Sequence, residues 1–196
     1  MAIDRFGQPV GDPLGNWTPP PVPTRDVLVG ERIELAPLDA TLHAADLWAE
    51  FCTAPESLWT YMGIGPFSSS EALAYAVDHL ARTRGWVPYA LLVDDLAVGF
   101  AAYLRIDPAI GSIEIGSIVF GPSLEKTAAA TEALFLMIDH AFALAYRRCE
   151  WKCDALNARS RAAALRLGFQ YEGTFRKATH YKGRNRDTAW YAIIDD

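Results

Sequence analysis

Three short stretches carry residue types whose spacing suits chemistry. "GPSLEKTAAATEAL" (121–134) has the layout of a turn feeding a helix. A helix start leaves unpaired N–H groups and about half a positive charge, so it can hold a phosphate without a glycine loop. The amides concerned belong to Lys126, Thr127, Ala128, Ala129, Ala130 and Thr131. Glu125 works against this, because a carboxylate beside an anion costs affinity unless it turns to solvent, although Lys126 and the Thr127 hydroxyl offset it. An ordinary Ala-rich helix start packed on a sheet explains the same stretch.

The second stretch, "SIEIGSIVF" (112–120), sets one acid, Glu114, in an apolar strand. Burial would raise its pKa toward the range useful for accepting a proton, whereas a solvated strand carboxylate would do nothing. In the third, "ALNARSRAAALRLGF" (155–169), Asn157 and Ser160 open a short helix. They can serve as its cap, since a side-chain oxygen there satisfies an orphan amide.

These residues need elements to position them. "RIELAPL" (32–38) alternates as a strand and leads into a helix with Asp39 or Thr41 near its start. "SSSEALAYAVDHLART" (68–83) is a second helix, with Glu71 as capping-box partner if Ser68 is the cap. "YALLVDDLAVGFAAYLRI" (89–106) is two apolar runs broken at Asp94 and Asp95, a tight hairpin. A strand over 112–120 ends at Gly121 and Pro122, and a helical stripe runs from Thr127 to Tyr146. "RCEWKCDAL" (148–156) alternates as a strand, a helix over 158–168 stops at Gly168, and two strands flank "YKGRNRD". The order is strand, two helices, three strands, helix, strand, helix, two strands, an α/β pattern. Residues 1–30 are rich in proline, including "TPPPVPT" (18–24), and are expected to form an arm ahead of one domain over 31–196. Trp17 and Phe6 are candidate anchors for that arm; a disordered tail is the alternative.

A net charge of -6 argues against nucleic acid, which requires a basic footprint. No apolar run approaches the roughly 20 residues of a membrane span, and the N-terminus lacks the blocks of a signal peptide, so a cytoplasmic protein with no membrane partner is expected. Cys52, Cys149 and Cys153 are odd in number, and the last two stand about 13 Å apart along one strand face, beyond disulfide reach. They are expected to be core residues of a reducing compartment. The histidines, His43, His79, His140 and His180, are scattered, so no metal site is expected.

The element order, with "EIGSIVFGPSLEKTAAATEAL", "ALNARSRAAALRLGFQYEGTFR" and "YKGRNRDTAWYAII", resembles the GCN5-related N-acetyltransferases over roughly residues 30–194. Within them it looks most like the branch containing the ribosomal-protein N-terminal acetylases. The resemblance implies a central mixed, mostly antiparallel sheet of about seven strands, splayed between the fourth and fifth, with about four helices. It also implies acetyl-CoA as cosubstrate, its pantetheine arm in the splay and its pyrophosphate on the amides of Lys126 to Thr131. The family loop reads Gln or Arg, two variable residues, Gly, one variable residue, then Gly or Ala. Here Ala130 fits, Ala128 replaces the glycine and Glu125 replaces the Gln or Arg.

Several roles follow from the resemblance. Backbone amides around Ile118, Val119 and Phe120 become oxyanion donors, Asn157 a pantetheine contact, and Ser160 an acid or thiol-orienting group. Glu114 becomes the candidate acceptor of the amine proton, with catalysis by positioning alone left open. Many relatives place a tyrosine acid seven residues after the Asn; that position is Ala164, which excludes this route. "LWTYMGIGPF" (58–67) is a candidate acceptor wall through Trp59, Tyr61 and Phe67, joined by Tyr181 from the tail; loop packing explains it equally. A local basic group, Arg176, Lys177, His180, Lys182, Arg184 and Arg186, is either solvated hairpin charge or a contact for an acidic acceptor or CoA phosphate. The expected acceptor is a primary amine on a small molecule, amino acid or protein N-terminus, with a homodimer left open. The alternatives are a catalytically weak acyl-CoA-binding module and transfer of another acyl group such as succinyl.

Overall fold

A computed structural model of the chain describes residues 2–195. The arm contributes three short strands, β1 (Ala2–Ile3), β2 (Pro9–Val10) and β3 (Leu28–Val29). Then come β4 (Glu34–Pro37), α1 (Ala40–Phe51), a 3-10 turn (Glu56–Trp59), α2 (Ser70–Arg82), β5 (Val87–Val93), β6 (Leu96–Asp107) and β7 (Ser112–Phe120). The chain continues as α3 (Ala128–Ala143), β8 (Arg148–Asp154), α4 (Ala158–Arg166), β9 (Gln170–Tyr181) and β10 (Arg184–Ile194). From β4 onward this is the order expected from sequence. The main sheet runs β3-β4-β5-β6-β7-β8-β10-β9. It has eight strands rather than about seven, because β3 adds a rung of two residues to β4.

Local chemistry fixes the elements. Asp39 caps α1 by accepting from the Thr41 amide at 2.7 Å. Ser69, not Ser68, caps α2, accepting from the Ala72 amide at 3.3 Å, so Glu71 falls in the first turn, where its charge suits the helix dipole. Asp94 and Asp95 both take positive φ, 50° and 62°, as a two-residue turn matched to strand twist requires. The third helix stops at Ala143 rather than reaching Tyr146, because Ala145 turns left-handed at φ 70° and Tyr146 folds inward.

The sheet buries two apolar layers. On one face α3 sets Ala133, Leu134, Met137 and Ala141 against Tyr103, Ile113, Ile115, Cys149 and Trp151, joined by Ala164 of α4. On the other, α1 and α2 set Leu47, Phe51, Leu73 and Val77 against Ala90, Phe100 and Val119. Truncating a fully buried member such as Met137 to Ala is expected to cost about 2–5 kcal/mol. Cys149 and Cys153 lie in the first layer as expected, whereas Cys52 is exposed; all three thiols are free.

Two irregularities shape the middle of the sheet. β7 pairs with β8 in parallel for three rungs only, Ser112 with Arg148, Ile113 with Cys149 and Glu114 with Glu150, and beyond Glu114 the strands part. Opposite β6, the ladder passes from Gly116 with Ala102 to Val119 with Phe100, so β7 carries one extra residue there, with Ser117 at φ 52°. The bulge switches faces along β7: Ile113 and Ile115 point toward α3, while Val119 points toward α1 and α2.

The arm lies across the molecule. Trp17 donates its indole N–H to the Ala145 carbonyl at 3.3 Å and receives the Arg147 guanidinium on its ring. Tyr146 and Tyr89 donate to the carbonyls of Pro21 and Thr24, and Arg25 donates to that of Ala81 at 2.7 Å. Phe6 does not anchor the arm; it is 73% exposed, because the β1–β2 ribbon carrying it pairs only with itself.

Candidate active site

At the end of β7 the chain turns through 121–127 into α3. Gly121 is required there, because a Cβ would collide with the Val98 carbonyl and the Glu50 carboxylate. That carboxylate accepts from the Ser123 amide at 3.2 Å and ties the turn to α1. Lys126 takes φ 63° and swings the chain into the helix. Thr127 caps α3, accepting from the Ala130 amide at 3.1 Å, while its own amide donates to the Leu124 carbonyl at 3.3 Å. Of the six residues expected to offer amides, Thr127 and Ala130 are thereby committed to protein acceptors. The amides of Lys126, Ala128 and Ala129 have no protein acceptor among the described residues. They form a compact set of donors at the positive end of a helix of 16 residues. The Glu125 carboxylate does not turn freely to solvent; it pairs with the Arg159 guanidinium of α4.

The strand edge behind this turn is open. Past Glu114, β7 has no β8 neighbour, so the alternate amides of the segment holding Ile118, Val119 and Phe120 that face away from β6 look into the gap. The bulge at Ser117 aims this stretch differently from the strand below it.

Across the gap, Asn157 caps α4, its Oδ1 accepting from the Ser160 amide at 3.1 Å. Ser160 Oγ accepts from the Trp151 indole N–H at 3.0 Å. An indole only donates, so this bond occupies an oxygen lone pair and leaves the serine proton to give. Both residues therefore meet local structural needs while standing at the mouth of the gap. Ala164 of α4 is fully buried.

Glu114 sits where the strands separate, 5% exposed, on the face opposite Ile113 and Ile115. Lys152 Nζ lies 2.9 Å from its Oε2 and 2.7 Å from Glu150 Oε2, and rests 3.7 Å from the centroid of the Trp190 ring. Arg105 Nε approaches Glu114 at 3.4 Å, and Arg148 joins Glu150 to Glu172 of β9. The charges alternate in sign from Arg105 through Glu114, Lys152, Glu150 and Arg148 to Glu172. Burial pushes the Glu114 carboxyl above the ordinary carboxylate range, against the pull of Lys152 and Arg105. Burial also acts upward on Glu150, but the hydrogen bonds from Lys152 and Arg148 prevail and hold it below that range. Sequence reading singled out Glu114 and missed its partners. Alternation in "RCEWKCD" places Arg148, Glu150 and Lys152 on one face, but only the parallel register sets them beside Glu114.

The 3-10 turn and the β9–β10 hairpin tip meet over the same face. Lys182 Nζ donates to the Trp59 carbonyl at 2.6 Å. Tyr61 donates to the Leu156 carbonyl at 3.2 Å, and Tyr181 to Asp154 Oδ2 at 2.7 Å. Trp59 is 2% exposed, its ring edge-on to Phe51 and Phe67, and with Phe67 it lines a cavity beside α1. Tyr61 and Tyr181 are thus both tied to the β8–α4 turn, next to Asn157. Burial, with the bond to Asp154, pushes the Tyr181 phenol up to about 12. Among the described residues no cluster of three or more His, Cys, Asp or Glu side chains is placed to hold a metal.

Comparison with solved structures finds close likenesses. A GCN5-related N-acetyltransferase from Brucella melitensis is 40% identical, with TM-score 0.89, covering 93% of this chain and 84% of that one. A structure from Chromobacterium violaceum, described as a probable acetyltransferase of the GNAT family, is 39% identical, with TM-score 0.90, covering 96% of each. The Salmonella typhimurium acetyltransferase that modifies the N-terminal serine of ribosomal protein L7/L12 shares the fold at 22% identity and TM-score 0.74, covering 87% of this chain and all of that one (100%). Comparison with curated proteins finds no match. Fold and likeness together define an acetyltransferase. The profile of the acetyltransferase (GNAT) domain matches residues 32–170, and the chain belongs to that family. The GNAT family uses acetyl-CoA as cosubstrate. The residues present fit it, since the amides of Lys126, Ala128 and Ala129 stand without protein acceptors among the described residues at a helix start, and an open strand edge lies behind them; the Thr127 hydroxyl is not a further donor, because it already donates to the Leu124 carbonyl at 2.7 Å.

Proposed function

We propose that this protein is an acetyl-CoA-dependent N-acetyltransferase that passes the acetyl group directly to a primary amine within a ternary complex. The observation that carries this reading is Glu114, a buried carboxylate at the point where β7 and β8 part, beside the unpaired edge of the bulged strand.

Acetyl-CoA, when bound, supplies an acetyl thioester. Amides of Lys126, Ala128 and Ala129 hold its anionic part, with Asn157 beside the gap. Amides along Ile118 to Phe120 receive the negative charge that develops on the acetyl oxygen, a form of stabilisation that costs no reorganisation when donors are fixed in a strand. Glu114 takes the proton that the amine loses as the C–N bond forms, and its raised pKa suits that task. Ser160 returns a proton to the thiolate as the C–S bond breaks. Tyr61 and Tyr181 wall the acceptor side; the Tyr181 proton is held by Asp154, so this phenol shapes the wall rather than acting as a base. Three free thiols fit a cytoplasmic enzyme.

The acceptor is a small amine, an amino acid or a protein N-terminus. A thiol-release assay with acetyl-CoA against amines of these three kinds tests the reading. Turnover of at least one supports it. Binding of CoA by calorimetry with no turnover of any amine supports an acyl-CoA-binding module instead, and preferred turnover of succinyl-CoA in competition reassigns the acyl group.

A further inference from the structure

α3 follows β7 and α4 follows β8, so the two helix starts flank the mouth of the gap between those strands. One ion pair joins them: Glu125, three residues before α3, and Arg159, in the first turn of α4. The Arg159 side chain is 67% exposed and that of Glu125 32%. An exposed pair of this kind adds little to stability and opens readily. It also resolves a contradiction in the local charges. Glu125 stands beside donors aimed at an anion, yet carries the wrong sign; paired, it instead holds a guanidinium next to them.

We propose that Arg159 is a phosphate ligand held ready by Glu125, and that cosubstrate binding exchanges the Glu125 carboxylate for the pyrophosphate of CoA. Arg159 then closes over the mouth from the α4 side, while the amides of Lys126, Ala128 and Ala129 hold the same group from the α3 side. A guanidinium suits this role because its planar fork binds phosphate oxygens two at a time. The inference rests on the acetyl-CoA reading and specifies how this chain replaces the side chain that a loop beginning with Glu125 lacks.

Calorimetry with CoA on the full chain tests the exchange, using Arg159→Gln, Arg159→Lys and Glu125→Gln. Loss of a charged hydrogen-bond partner is expected to weaken CoA about tenfold or more in Arg159→Gln. Arg159→Lys should recover part of that loss. Glu125→Gln should tighten CoA severalfold, because Arg159 no longer has a competing partner, and this gain should vanish in the double variant. Arg159→Gln should also flatten the dependence of affinity on salt. Dephospho-CoA should show the same sensitivity to Arg159→Gln; loss of that sensitivity would move the contact to the 3′-phosphate and overturn the pyrophosphate assignment. A dissociation constant for CoA unchanged within twofold in Arg159→Gln overturns the exchange while leaving the acetyl-CoA reading intact. Failure of the unaltered chain to bind CoA at all overturns both.

Discussion

Lys152 reaches Glu114 across the point where their strands separate, Nζ to Oε2 at 2.9 Å, two residues past the last shared rung. Its ammonium is also held by Glu150 at 2.7 Å and by the face of Trp190. This fixes the Glu114 carboxylate from one side and tunes it, because Lys152 is the largest influence opposing burial. Breaking a buried pair by removing one charge is costly, so the pair is also a structural commitment.

On the proposed reading, Glu114 works ionised, so activity is present above its pKa and lost as pH falls through it. Burial has raised that pKa, which places the acid limb above the ordinary carboxylate range. Lys152→Met removes the main opposing charge and should move the limb to still higher pH, with the same acceptor in both profiles. Glu114→Gln should lower kcat by about 10²–10⁴ and abolish the limb. An acid limb at the same pH in Lys152→Met would exclude Glu114 as the base.

Ser160→Ala should reduce turnover more than CoA affinity, since Asn157 still caps α4 and Trp151 loses only an acceptor. Steady-state kinetics beside calorimetry separates the two effects. Equal losses in both would make Ser160 a binding or capping residue.

Ser117 holds a left-handed φ of 52° in the bulge. Ser117→Gly relieves the conformation and should leave activity near its original level. Ser117→Val forces a β-branched residue into that region at about 1–2 kcal/mol and should lower both stability and kcat, read by urea unfolding and initial rates. Activity unaffected by the valine would separate the bulge from catalysis.

Arg148 binds Glu150 at 2.8 Å and Glu172 from β9, and both carboxyls are held below their ordinary range. A depressed carboxyl stabilises the fold above its unfolded pKa, and that contribution is lost as pH falls through the folded value. Arg148→Met should therefore lower Tm at neutral pH, with the difference from the unaltered protein shrinking below about pH 4. A difference constant with pH would assign the effect to packing alone.

Trp17→Ala should lower unfolding free energy by about 1–2 kcal/mol, less than for a fully buried aromatic. It should leave CoA affinity unchanged, because Trp17 docks by Ala145 and Arg147, at the end of β7 opposite the gap. A change in CoA affinity without loss of stability would link the arm to the site.

Much of this fold is written in local patterns. The strand 112–120 and the Asp94–Asp95 turn are visible as alternation and punctuation, and each lies where expected. Ser69 displaces Ser68 as a cap because three consecutive serines offer equivalent oxygens and only packing of α2 selects among them. The site is legible in part. Glu114 is conspicuous as an acid among apolar residues, and Asn157 and Ser160 by spacing. Lys152, Arg105 and Arg159 are not, because an exposed-looking cation in sequence becomes a partner only through long-range register. The burial of Trp59 is hidden for a similar reason: its aromatic neighbours Phe51 and Phe67 come from both sides of the loop.

β7 and β8 part with the α3 and α4 starts to one side of the separation and the aromatic turn and the hairpin tip to the other. In the proposed reaction each reactant has its own side, and so does each product. Spent CoA should therefore rival acetyl-CoA for one side, and the acetylated product should rival the amine for the other. Product-inhibition patterns would then map the two sides of the sheet without any further structure.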